Sequence, residues 1–149
     1  MKKLLLKKEL RIPVTREGYQ KLLKDREKFL AARPEAVKNL SESRAMGDLS
    51  ENGYYKASRQ QLSFLDSRIR RVERLIKLAH IIEPARIKIS DGTKEYEYRI
   101  VGGFESDPTK HTISRQSPLG RAIVGKKTGD VIDVHTPQGV KKYTILSIG

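Results

Sequence analysis

The stretch YKASRQQLSFLDSRIRRVERLIKLA, Tyr55–Ala79, carries two interleaved seven-residue series. Tyr55, Leu62, Ile69 and Ile76 form one, and Ser58, Leu65, Val72 and Ala79 follow it three positions later. Residues spaced in this way line one side of an α-helix as the seam of a coiled coil. The stretch therefore predicts one long helix that needs a partner. Upstream, Leu23, Leu30 and Val37 recur at the same interval, flanked by Tyr19, Leu22, Phe29 and Leu40, after Thr15 as the expected N-cap. Two such stripes joined by a short Gly-containing connection fold back as an antiparallel helical hairpin. Pro34 predicts a bend in the first arm, because its ring displaces a carbonyl of the preceding turn and it lacks an N–H. A second arm of about 30 residues at roughly 1.5 Å each is on the order of 45 Å long. The reversal, near Arg44 to Asn52, thus stands at the end of a rod.

Beyond Glu83-Pro84 the pattern changes. IKI (87–89), EYEYRIV (95–101), VIDVH (131–135) and KKYTILSI (141–148) are rich in β-branched and aromatic residues and are separated by Asp91-Gly92, Gly102-Gly103, Gly129-Asp130 and Pro137-Gln138-Gly139. SPLGRAIVG places Ser117 as N-cap, Pro118 at the first helical position and Gly125 as a stop, which predicts one short helix. The expectation is an α+β chain: an N-terminal α-helical coiled-coil hairpin over residues 1–83, then a small antiparallel sheet with one helix over 84–149.

Composition narrows the function classes. The 149 residues carry 31 Lys and Arg against 18 Asp and Glu, a net charge of +13. Of this, +9 falls in residues 1–83. Such an excess favours an anionic partner, nucleic acid foremost, met first by the N-terminal half. Cysteine is absent, which excludes disulfides and thiolate metal sites. The start MKKLLLKKELRI offers only Leu4–Leu6 as an apolar run before Lys7 and Lys8, too short for a secretory signal, so a cytoplasmic protein without a membrane span is expected. His80, His111 and His135 are isolated, and no Ser-His-Asp, HExxH or P-loop pattern occurs. Self-contained catalysis is not expected.

Within this basic chain, MGDLSENGYYKASRQQ, Met46–Gln61, sets Asp48 and Glu51 three residues apart at the reversal. One reading is a capping box, with Asp48 as N-cap of the second arm and Glu51 reaching back from the third helical position. The other is coordination of a hard cation such as Mg²⁺, which takes carboxylate oxygens. Two carboxylates cannot fill an octahedral shell, so a partner must complete it.

The run GDLSENGYY, followed by Arg59 and the heptad helix, resembles the tip and second arm of the Gre transcript-cleavage factors of bacterial RNA polymerase, whose pattern is G-D-x-x-E-N followed by an aromatic. SPLGRAIVGKKTGDVIDVHTPQGVKKYTILSI, preceded by RIVG, is similar to that family's C-terminal domain, which has an FKBP-like fold. The resemblance runs in order from about Ile12 to the end. It implies a monomeric accessory factor, itself not an enzyme, whose coiled coil enters the polymerase secondary channel. It also implies that Asp48 and Glu51 help hold a second Mg²⁺ in the polymerase active centre, so that the polymerase cleaves its own backtracked RNA. Ser50, Asn52 and Tyr55 fall at the family's tip-support positions. Arg44 and Arg59 match its basic patch, which contacts the extruded RNA 3′ segment. Gly53 and Tyr54 depart from the family's commoner Ala and acidic residue. Two rivals stand beside this reading: a channel-occupying regulator without cleavage activity, against which both retained acids argue, and a prolyl isomerase with a helical arm, against which three Phe and no Trp argue.

Overall fold

The computed structural model describes residues 10–49 and 51–149. The chain forms β1 (Ile12–Thr15), α1 (Arg16–Ala45), α2 (Gly53–Leu78), β2 (Ala79–Ile82), β3 (Ala85–Ser90), β4 (Glu95–Val101), a 3₁₀ turn (Pro108–Lys110), β5 (Thr112–Ser114), α3 (Pro118–Ile123), β6 (Val131–Thr136) and β7 (Gly139–Ile148). These elements make two compact units: residues 19–78, the helical pair, and a second unit built from residues up to Gly18 together with Ala79–Gly149.

The helical unit follows the heptads of α2. Ser58, Ile69 and Val72 are buried along it, and at a rise of about 1.5 Å per residue its 26 residues span roughly 39 Å. On α1 the seam lies one residue away from the expected series. Leu22, Ala36 and Ser43 are buried, whereas Leu30 and Val37 remain 44% and 40% exposed. The buried line is Leu22, Phe29, Ala36 and Ser43, seven residues apart, with Phe29 half-buried. α1 is a single 30-residue helix that continues through Pro34. Arg33 and Asp66 join the arms through a two-pronged pair, Nε to Oδ1 at 2.8 Å and Nη2 to Oδ2 at 3.4 Å. Arg68 lies 5.9 Å from the Phe29 ring centre. As residue number falls on α1 it rises on α2, which marks the antiparallel course.

In the second unit the sheet order is β5-β4-β3-β7-β6. All pairings are antiparallel except β4 with β5, where Arg99, Ile100 and Val101 run parallel to Thr112, Ile113 and Ser114. The sheet is therefore mixed rather than antiparallel, because the segment after β4 returns through the 3₁₀ turn before β5 starts. Alternation decides its faces: Ile87 and Ile89 are buried on either side of exposed Lys88, and Ile132 and Val134 on either side of exposed Asp133. With Ile100, Ile123 and Ile145 they form the core, against which Tyr96, Tyr98 and Tyr143 pack. α3 begins as expected, with the Ser117 hydroxyl accepting from the Gly120 N–H at 3.0 Å and Pro118 at the first position.

β1 and β2 pair in parallel, from Ile12 with Ala79 to Thr15 with Ile82. Both belong to the sheet unit. In chain order the helical pair follows β1 and precedes β2. Those strands satisfy each other's backbone groups and hold β1 with the sheet unit. Glu105 secures β1 further. Its Oε2 accepts from the Thr15 and Gly102 N–H groups at 2.9 and 3.1 Å, and its Oε1 bonds the Thr15 hydroxyl. That hydroxyl accepts from the Gly18 N–H at 3.1 Å, so Thr15 is the α1 N-cap that the sequence predicts.

The β3–β4 turn is organised by the Asp91 carboxylate. It accepts from the N–H groups of Lys94 and Thr93 at 2.7 and 2.8 Å, and from the Thr93 and Tyr96 hydroxyls at 2.8 and 3.1 Å. These bonds, the Lys94 N–H first, hold its pKa far below the usual carboxylate range. A carboxyl depressed in the folded state stabilises above its unfolded pKa of about 3.9 and loses that contribution as pH falls further. Asp91→Asn is therefore expected to be less stable than wild type at pH 7, with the difference shrinking below about pH 4. Denaturant titrations at pH 7 and pH 3 check this, and a constant difference would mean that charge is not the cause.

Candidate functional site

The site is the connection between α1 and α2. At the end of α1 the Ser43 carbonyl accepts from the Met46 N–H at 3.3 Å. Gly47 then takes φ +112°, a backbone conformation that favours glycine and turns the chain out of the helix. Asp48, Leu49 and Glu51 follow, all exposed. Ser50, expected to assist there, lies outside the described residues.

α2 begins at Gly53, four residues later than the capping-box reading requires. Its cap is Asn52. Asn52 Oδ1 accepts from the Tyr55 N–H at 3.0 Å, and the Asn52 carbonyl accepts from the Lys56 N–H at 3.1 Å. The Asp48–Glu51 capping box is thus replaced by Asn52, which also reaches back across the turn. Its Nδ2 donates to the Ser43 carbonyl at 2.8 Å, so one side chain joins the end of one helix to the start of the other.

The other candidates gather around this turn. Tyr55, in the first turn of α2, is half-buried, and the Arg44 guanidinium stands 6.0 Å from its ring centre. Arg59 is exposed one turn further on. It lines a shallow groove of about 430 Å³ with Tyr55, Lys56, Gln60, Ser63 and Phe64. The turn therefore combines two solvent-facing carboxylates with cations and an aromatic ring on the adjoining helix ends. Carboxylate oxygens suit a hard cation. Among the described residues no group of three His, Cys, Asp or Glu is placed to hold a metal ion. Two carboxylates alone do not fill the six-fold shell of a hard cation such as Mg²⁺.

Two family models cover the chain in register. Residues 12–81 match the description "Transcription elongation factor, N-terminal", and residues 81–149 match "Transcription elongation factor, GreA/GreB, C-term". The chain belongs to the GreA/GreB family of transcription elongation factors. It is 39% identical over 151 residues to transcription elongation factor GreA of Paracoccus denitrificans, covering 93% of this chain and 97% of that one. It is 36% identical over 154 residues to GreA of Lactococcus lactis, covering 94% and 99%. Among solved structures, GreA factor homolog 1 (Gfh1) of Thermus thermophilus is similar at 24% identity and a TM-score of 0.45, covering 93% and 99%. The family resemblance read from the tip and the C-terminal stretch is thus borne out. Among the described residues of this GreA/GreB chain, no helix is long and apolar enough to cross a membrane.

Sequence reasoning missed the two-ended role of Asn52. The available signal was its place directly before the first residue of the helix, a position where Asn caps as well as Asp.

Proposed function

We propose that this GreA/GreB-family chain acts on RNA polymerase through the secondary channel. The helical hairpin carries Asp48 and Glu51 to the polymerase active centre, where they stimulate cleavage of backtracked nascent RNA. The observation that carries this reading is the exposure of both carboxylates in the connection while Asn52 serves as the helix cap. Asp48 and Glu51 supply oxygen ligands to a Mg²⁺ shared with the polymerase. Bound there, such an ion supplies a water of lowered pKa and a clamp on the scissile phosphate. The chain's own part is to place two anionic groups at one point. Arg44 and Arg59, with exposed guanidinium groups beside the turn, neutralise phosphates of the RNA 3′ segment. The factor works as a monomer in the cytoplasm, wherever that polymerase is.

The test uses purified polymerase halted in a backtracked complex, with and without the full-length protein. Release of 3′ RNA fragments in proportion to added protein supports the reading. Slowed synthesis without fragments would instead mark a channel-occupying inhibitor. For Arg59→Ala the expected result is several-fold weaker action at low salt. The slope of log affinity against log salt should also fall by about 0.7, the share of one phosphate contact on a single strand. An equal loss at every ionic strength would rule out that contact.

A further inference from the structure

We infer that Asn52 is the positioning residue of the tip, a clamp that sets the aim of Asp48 and Glu51 and does not itself touch RNA or metal. This rests on the function proposed above. An amide side chain carries both donors and an acceptor, and here each end meets a group of fixed type. Tyr55 offers an N–H, which only donates, and Ser43 offers a carbonyl, which only accepts. The orientation of the amide is thereby determined by its partners.

The anchor on α1 is itself held in place. Ser43 is fully buried, and its hydroxyl donates to the Leu40 carbonyl at 2.7 Å. The Ser43 carbonyl receives two donors, the Asn52 amide and the Met46 N–H. The Asn52 side chain thus ties the end of α1 to the start of α2, the two ends of the connection that carries both acids. Asp48 and Glu51 are exposed, so burial in a core does not orient them. Where they stand depends on the course of the backbone that carries them. Misplacement of a reacting group by about 1 Å can cost on the order of a hundredfold in rate, which makes a loop closure of this kind functionally decisive.

Asn52→Asp separates the clamp from the cap. Asp caps a helix about as well as Asn, and its charge is favourable at a helix N-terminus. It has no donor for the Ser43 carbonyl and instead sets an oxygen against it. Asn52→Ala removes both functions. The experiment compares wild type, Asn52→Asp and Asn52→Ala as full-length proteins, in four readouts: thermal unfolding, polymerase binding by competition, cleavage of backtracked complexes at saturating factor over a Mg²⁺ titration, and amide exchange across Met46–Glu51.

For Asn52→Asp the expected result is unfolding and binding close to wild type, faster exchange in the turn, and a maximal cleavage rate lower by about ten- to a hundredfold. Wild-type cleavage by Asn52→Asp overturns the inference while leaving the proposed function standing. A thermal midpoint lowered as far as that of Asn52→Ala, or binding lost together with cleavage, also overturns it, since the role would then be folding or docking. Absence of stimulated cleavage with wild type overturns the proposed function and the clamp's role in it together.

Discussion

Asp48→Asn is expected to remove stimulated RNA cleavage, by about a hundredfold or more, while thermal unfolding stays nearly unchanged. The two side chains share a shape and differ in charge. A catalytic ion contributes several kcal/mol of charge stabilisation, which is forfeited where a lost ligand leaves its site empty, and each 1.4 kcal/mol or so is a factor of ten in rate. Stability is insulated from the change because α2 is capped by Asn52. Asp48 is exposed in the connection, and Asn keeps its shape and an acceptor oxygen. The measurement pairs fragment release from a backtracked complex with a melting curve. Raising the Mg²⁺ concentration should restore part of the lost rate, since a weakened site fills at higher ion concentration. A variant that cleaves like wild type would remove Asp48 from the ligand set.

Glu105→Ala is the substitution expected to cost most in stability, about 2–3 kcal/mol. Its carboxylate accepts from two backbone N–H groups, those of Thr15 and Gly102, and bonds the Thr15 hydroxyl. Thr15 and Gly102 are both buried. Each donor stranded away from water costs about 1–3 kcal/mol, reduced here because Glu105 is half-buried and water can enter its place. The glycines around it are part of the arrangement. A Cβ at Gly18 would overlap the Glu105 carboxylate, and one at Gly102 would overlap the Pro13 carbonyl. The loss also reaches α1, because the hydroxyl that Glu105 orients is the one that caps that helix. Denaturant unfolding gives the number. A loss below about 0.5 kcal/mol would mean that water replaces the carboxylate without penalty.

How legible each feature was depended on how local its cause is. α2 was read from its heptads because Leu62, Ile69 and Ile76, with Leu65 and Val72 in the second series, carry a strong apolar signal at seven-residue intervals. α3 was read from Ser117-Pro118, since a cap and a proline act on their own neighbours. The α1 seam was displaced by one residue because Ala36 and Ser43 are small or polar and register weakly as apolar, whereas exposed Leu30 and Val37 register strongly. β2, AHII, continues the apolar run of α2 and becomes a strand only through β1, a partner 67 residues away in sequence. Glu105 left no local mark, because its partners lie up to 90 residues distant. At the tip, Asp48 and Glu51 were found through their residue types and through the family pattern. The capping assignment failed because two acids and an asparagine compete for one helix start, and only the backbone decides which is used. The expected combination of hairpin and sheet stands, with the sheet mixed rather than antiparallel.

The parallel match of β1 with β2 also orders events during synthesis. Val14 leaves the ribosome long before Ile81, its partner in register. At about 5–20 residues per second, the intervening stretch takes several seconds to be made. During that interval the two helices, whose links run between neighbouring stretches of chain, can form on their own, and only then do the ends of the excursion meet. The helical pair is therefore also the crossover that delivers one strand to the other. Shortening it by whole heptads should test reach without impairing that delivery, whereas cutting within β2 would leave the first-made strand without a mate.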